Sequence, residues 1–166
     1  MSKSAQSAII LGIVLGLVAP ISAQAVPYVQ QFTKGQIEFK QGGKMFKVPL
    51  QRGRLEAMPL NFGKKAAEIR NMTLVFAGAE MERISVRLVN VSGPKQYGKK
   101  NIGGFSVQTG TGGNSMLRTD KGDCTFALSR LDKSKIEGTG SCRGPFEDGR
   151  GAQGPLVTDV KFSATP

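Results

Sequence analysis

Apolar and polar residues alternate with a period of two along much of this chain. Ile37 and Phe39 alternate with Gln36, Glu38 and Lys40; after Gln41-Gly42-Gly43-Lys44, Phe46, Val48 and Leu50 alternate with Met45, Lys47 and Pro49. Strict alternation is the mark of a strand with one face buried, and Gly-Gly between two such runs supplies the positive φ that a two-residue hairpin turn requires. The register then sets Phe39 opposite Phe46 and Ile37 opposite Val48 on the buried side, with Glu38 opposite Lys47 on the wet side. A second hairpin reads Met72, Leu74 and Phe76 against Ile84, Val86 and Leu88, turning at Gly78-Ala79-Glu80. Phe76 pairs with Ile84 and Leu74 with Val86.

The third hairpin carries both cysteines. Cys124 and Cys142 flank a segment whose midpoint is Asp132, Lys133 and Ser134, all turn-forming. Folding there sets Cys124 opposite Cys142, Phe126 opposite Gly140 and Leu128 opposite Gly138. Large side chains over glycines on one face is a known way of covering strand glycines. The other face, Thr125, Ala127, Ser129, Glu137, Thr139 and Ser141, is small and polar. One register accounts for cysteines, glycines and alternation together, and it predicts a cross-strand disulfide. A redox pair is disfavoured, because no C-x-x-C spacing is present to lower a thiol pKa.

Shorter strands are expected at Arg54 to Met58, Phe105 to Thr109, Met116 to Arg118 and Val157 to Ala164. No amphipathic helix of ten residues can be drawn, and Lys64 to Asn71 holds a helical turn or a short helix at most. With 22 glycines and 8 prolines among short strands, the chain reads as all-β: a single small antiparallel β-sandwich of about eight strands, with a small β-barrel as the alternative. Three glycine-rich loops separate the strands: Ser92 to Gly104, Gly110 to Gly122 and Arg143 to Pro155.

Residues 1–25 stand apart from this pattern. Lys3 precedes Ala8 to Ala19, an uncharged run of Ala, Ile, Leu, Val and Gly, and the stretch ends Ala23-Gln24-Ala25. A basic start, a short apolar middle and an A-x-A end have the form of a cleaved secretory signal, with the cut expected after Ala25 and a cut after Ala23 as the second choice. The run is shorter than the roughly 20 residues of a membrane span. The expected organisation is therefore a signal at 1–25 and one β domain at 26–166, exported to a periplasmic or extracellular space, with no transmembrane segment once the signal is removed. An even cysteine number suits such a compartment.

Charge and composition narrow the function. The 166 residues carry 23 Lys and Arg against 12 Asp and Glu, a formal charge of +11, and no histidine or tryptophan. Losing Lys3 with the signal leaves +10. Without histidine there is no Ser-His-Asp triad and no His-ligated metal, and with both cysteines in a staple there is no thiol nucleophile. Glu80 with Glu82, Asp120 with Asp123, and Glu147 with Asp148 are the remaining carboxylate pairs. All are sequence neighbours in expected loops, where acids are commonly just solvated, and no set of acid, base and nucleophile can be assembled from them. Asp120 and Asp123 alone fall short of the roughly six to eight oxygens of a calcium site. No cofactor and no metal are expected.

The basic excess is spread evenly along the chain, so it describes a surface and not a tail. Two windows lack acids: Lys40 to Arg54, with Lys44, Lys47, Arg52 and Arg54, and the loop bearing Lys95, Lys99 and Lys100. Arg83 and Arg87 also project from one strand face. A field of this sign attracts anions and raises their association rate. The expected partners are an anionic envelope polymer, a lipid head group or an acidic protein. Nucleic acid is disfavoured, because Tyr97 is the sole stacking residue beside a basic cluster. The sequence thus points to an exported, non-enzymatic binding or accessory protein. The alternatives are an envelope assembly subunit that pairs through a sheet edge and a small carboxylate-dependent hydrolase.

Overall fold

A computed structural model describes residues 27–62, 65–79, 82–108, 117–118, 124–142, 146–147, 153–154 and 156–166. The signal expected at 1–25 lies outside the described residues. So do most of the Gly110–Gly122 and Arg143–Pro155 loops.

The strands are β1 (Tyr28–Phe32), β2 (Lys34–Gln41), β3 (Lys44–Phe62), β4 (Lys65–Ala77), β5 (Arg83–Val91), β6 (Gln96–Tyr97), β7 (Ile102–Gln108), β8 (Leu117–Arg118), β9 (Cys124–Leu131), β10 (Ile136–Cys142), β11 (Phe146–Glu147), β12 (Gln153–Gly154) and β13 (Val157–Thr165). All their pairings are antiparallel. They form one nearly closed, barrel-like sheet in the order β12-β11-β8-β7-β5-β4-β3-β2-β13-β10-β9-β6, with β1 lying against β3. The all-β class and the disulfide expected from the sequence are both present.

The three hairpins have the registers that alternation dictates. Phe39 pairs with Phe46 and Ile37 with Val48; the two rings stack with centroids 5.2 Å apart. Gly42 and Gly43 turn with φ of 56° and 80°, a conformation in which a Cβ is strained. Phe76 pairs with Ile84 and Leu74 with Val86. Cys124 pairs with Cys142, Phe126 with Gly140 and Leu128 with Gly138, and the Cys124–Cys142 bond is formed. A bulge at Ser129 shifts the register by one towards the turn. There the Asp132 carboxylate accepts the backbone N–H groups of Ser134 and Lys135, each at 2.8 Å.

Length is the main departure from expectation. β3 runs for 19 residues and β4 for 13, and thirteen strands are found among the described residues where about eight short ones are expected. β3 bends from one side of the barrel to the other. Its first part pairs with β2 and its second with β4 and β1. A bulge between Leu50 and Arg52 marks the switch: Val48 and Leu50 point inward before it, Leu55 and Ala57 after it, so the inward parity changes from even to odd numbers. β1 and β2 meet β3 in one continuous register, Tyr28 with Ala57 through Gln41 with Lys44, parting around Thr33 to Gly35. The segment read as a helical turn is strand from Lys65 onward, because it pairs residue by residue with β3 as far as Phe62. Tertiary pairing overrides the helix propensity of its Lys, Ala, Glu and Arg.

The core fills the space between the two sides. Phe32, Phe39, Phe76, Phe105 and Phe126 are all but fully buried. Phe126 meets Phe105 and Phe162 edge-to-face at 5.3 and 6.2 Å, an arrangement aromatic quadrupoles favour. Tyr97 belongs here too. It is 1 % exposed, and its hydroxyl donates to the Gly93 carbonyl and accepts from the Ser92 and Gly93 amides at 3.0 and 3.1 Å. Tyr97, the one stacking candidate beside a basic cluster in the sequence, thus has its ring enclosed in the core, where no base can reach it.

Candidate functional site, an arginine-lined groove

The pairing of β3, β4, β5 and β7 decides what lies on the outward face of this side of the barrel. Leu74 and Val86 point inward, so Thr73, Val75, Ser85 and Arg87 point outward. Register places Gln31, Arg54, Thr73 and Arg87 in one row across β1, β3, β4 and β5. Arg52, Val75, Ser85 and Ser106 form the next row, ending on β7. Arg83 and Gln108 pair one step further along.

The face is hollowed. Four arginines, Arg52, Arg54, Arg83 and Arg87, line a groove of about 640 Å³, together with Thr73 and Ser85. A second hollow of about 410 Å³ shares Arg52, Arg54 and Thr73 and reaches Gln31, so the depression continues to β1. Val75 is only 4 % exposed although it faces outward, and it forms part of the floor. Glu56 is the one acid lining the groove among the described residues, and it pairs with Arg54 at 2.5 Å. Asn71, also on the lining, accepts the Asn90 amide at 3.4 Å.

The residues singled out in the sequence are distributed unevenly around this site. Arg52 and Arg54 lie in it, joined by Arg83 and Arg87. Lys44 and Lys47 are on the β2 side of the bend in β3. Lys44 sits 5.2 Å from the Phe46 ring centre, and Lys47 pairs with Glu38 at 3.1 Å. Lys95 lies 5.5 Å from the Tyr97 ring centre, and its carbonyl accepts the Leu128 amide at 2.9 Å, tying that loop to β9. Lys99 begins a single 3-10 turn, Lys99–Asn101, and Lys100 is exposed within it. The window without acids in the sequence is therefore not without acids in space. Glu38, Glu56 and Asp159 each neutralise one of its cations or a neighbour, Asp159 pairing with Lys40 at 3.0 Å.

The joining of Arg52 and Arg54 to Arg83 and Arg87 is what sequence reasoning missed. The signal was present in the alternation of both strands, but it needs the β3–β4 pairing to connect them. Of the carboxylate pairs, Glu80, Asp120, Asp123 and Asp148 lie outside the described residues. Among the described residues there is no cluster of three His, Cys, Asp or Glu that could hold a metal, and no helix long and apolar enough to cross a membrane. Comparison with protein-family models, with curated proteins and with solved structures gave no match.

Proposed function

We propose that this is an exported, non-enzymatic binding module that takes an anionic partner in the arginine-lined groove. The single observation behind this reading is the convergence of Arg52, Arg54, Arg83 and Arg87 on one concave face with a single lining acid among the described residues. Guanidinium forks match phosphate and carboxylate geometry and are held here on strands, which position them better than loops do. The net charge, +11 for the full chain and one less without Lys3, adds long-range attraction for the same ligands. The signal-like residues 1–25 and the disulfide support export.

Binding of inorganic polyphosphate to the protein lacking residues 1–25 tests the reading. With four arginines engaged, the log–log dependence of affinity on salt should have a slope of about −3. The double variant Arg54→Glu, Arg87→Glu should lose at least tenfold in affinity at low salt. Unchanged binding would remove the groove from consideration.

A second reading, assembly through a sheet edge, has one observation in its favour. The outer edge of β1 pairs with no other strand among the described residues, and Val29 there and Met58 on β3 are 53 % and 50 % exposed. Association that rises with protein concentration and ignores salt would favour it.

A further inference from the structure

We infer that the groove accepts a linear polyanion whose charges are separated by hydroxyl-bearing units, an acidic polysaccharide or a polyol phosphate chain, lying across the strands. This rests on the anion-binding reading above and names the class of ligand.

Three features of the groove lead there. The first is its extent. The lining runs from Gln31 on β1 to Gln108 on β7, four inter-strand steps or about 19 Å at the usual strand spacing. The second is the spacing of the charges. Arg54 and Arg87 flank Thr73 in one row, so their backbones are about 10 Å apart. Arg52 is two residues from Arg54 and Arg83 four from Arg87, so the four backbone positions are spread both across and along the strands. An extended ligand with several anions along its length can engage all four at once.

The third feature is what fills the space between the arginines. Thr73 lies between Arg54 and Arg87, and Ser85 between Arg83 and Arg87, while Ser106, Asn71 and Gln108 border the set; all offer hydroxyl or amide groups. Among the described lining residues there is no aromatic ring, and Tyr97 is enclosed in the core. Single-stranded nucleic acid draws much of its affinity from base stacking on aromatic side chains, and this groove gives bases no platform. Hydroxyl groups on the ligand find partners at Thr73 and Ser85, between the charges.

The test uses the protein lacking residues 1–25 and four probes of matched charge: octagalacturonate, a glycerol phosphate octamer, inorganic octaphosphate and a thymidine nonanucleotide. The two hydroxyl-bearing oligomers should bind at least tenfold tighter than the nucleotide, and tenfold tighter than their own monomers. A preference for one of them tells carboxylate from phosphate as the anion. Thr73→Val with Ser85→Ala should weaken the hydroxyl-bearing probes severalfold and leave octaphosphate within twofold. Tighter binding of the nucleotide, or equal binding of octaphosphate with no response to the Thr73 and Ser85 changes, would overturn the ligand class while leaving the anion site intact. Failure of all four probes would overturn the anion site itself.

Discussion

Phe126 lies against Gly140 so closely that a Cβ built on the glycine would stand 2.5 Å from the Phe126 Cδ1 atom. The same is true one pair along, where a Cβ on Gly138 would meet the Phe162 ring at 2.6 Å and Leu128 at 2.9 Å. These glycines are spaces into which the core rings of the disulfide hairpin fit. Gly140→Ala should therefore destabilise the protein by about 1–3 kcal/mol, as overpacking of a filled core does. Chemical denaturation would show it as a lower midpoint with an unchanged slope, and a neutral result would mean that the ring relocates freely.

The disulfide of the same hairpin closes a short loop, with a sequence separation of 18. The chain-entropy model assigns such a crosslink about 3 kcal/mol. Cys124→Ser with Cys142→Ser should lower stability by that order, and reductant should do the same to the wild type while leaving the double variant unchanged. Thiol titration without reductant should find no free cysteine.

Tyr97 predicts a different kind of loss. Its hydroxyl serves the Gly93 carbonyl and two backbone amides in the turn after β5. Tyr97→Phe keeps the ring and removes only the hydroxyl, leaving those groups short of a partner. The expected cost is about 1–3 kcal/mol, with faster amide exchange at Ser92 and Gly93 as the local signature.

The hairpin turn at Asp132 should respond to acid. Hydrogen bonds from the Ser134 hydroxyl, the Arg130 guanidinium and the Ser134 and Lys135 amides hold its carboxyl well below the usual carboxylate range. A depressed folded pKa means that the unfolded chain takes up the proton first. The stabilisation is thus complete above the ordinary Asp range near 4 and is lost as pH falls through the folded value. Asp132→Asn should flatten that part of the stability profile, measured as melting temperature between pH 5 and pH 2. An identical acid limb in wild type and variant would refute the assignment.

The lysines of the β5–β7 connection and the arginines of the groove can be separated directly. Lys95→Glu with Lys100→Glu reverses two exposed charges away from the groove lining. It should change polyphosphate affinity less than Arg54→Glu with Arg87→Glu at equal change in net charge, measured by titration at low salt. A larger effect from the lysine pair would move the contact surface to that loop.

Local pairing was legible in the sequence; distant pairing was not. Phe39 with Phe46, Leu74 with Val86 and Phe126 with Gly140 all follow from alternation about a turn, since each hairpin fixes its own register. The Lys65 to Asn71 half of β4 did not follow, because Lys, Ala, Glu and Arg favour helix unless a partner strand is known. β1 and β6 are short and irregular in pattern and gain their identity from β3 and β9. The groove needed both kinds of knowledge. Arg83 and Arg87 were visible as one face, but only the β3–β4 ladder carries that face across Thr73 to Arg54. The bulge near Gln51, which turns Arg52 and Arg54 outward together, has no signature in residue type alone.

The strand Val157–Thr165 has a bearing on how the protein reaches this state. It lies between β2 and β10, joining residues more than a hundred positions earlier to the disulfide hairpin. The hairpins can form from neighbouring residues in microseconds, whereas this insertion must close a very long loop. It is the step most exposed to delay, and until it occurs β2 and β10 each present an unpaired edge to other molecules. Folding of this chain should therefore be limited by the docking of one strand, with the crosslinked hairpin waiting as a preformed half of its receptor.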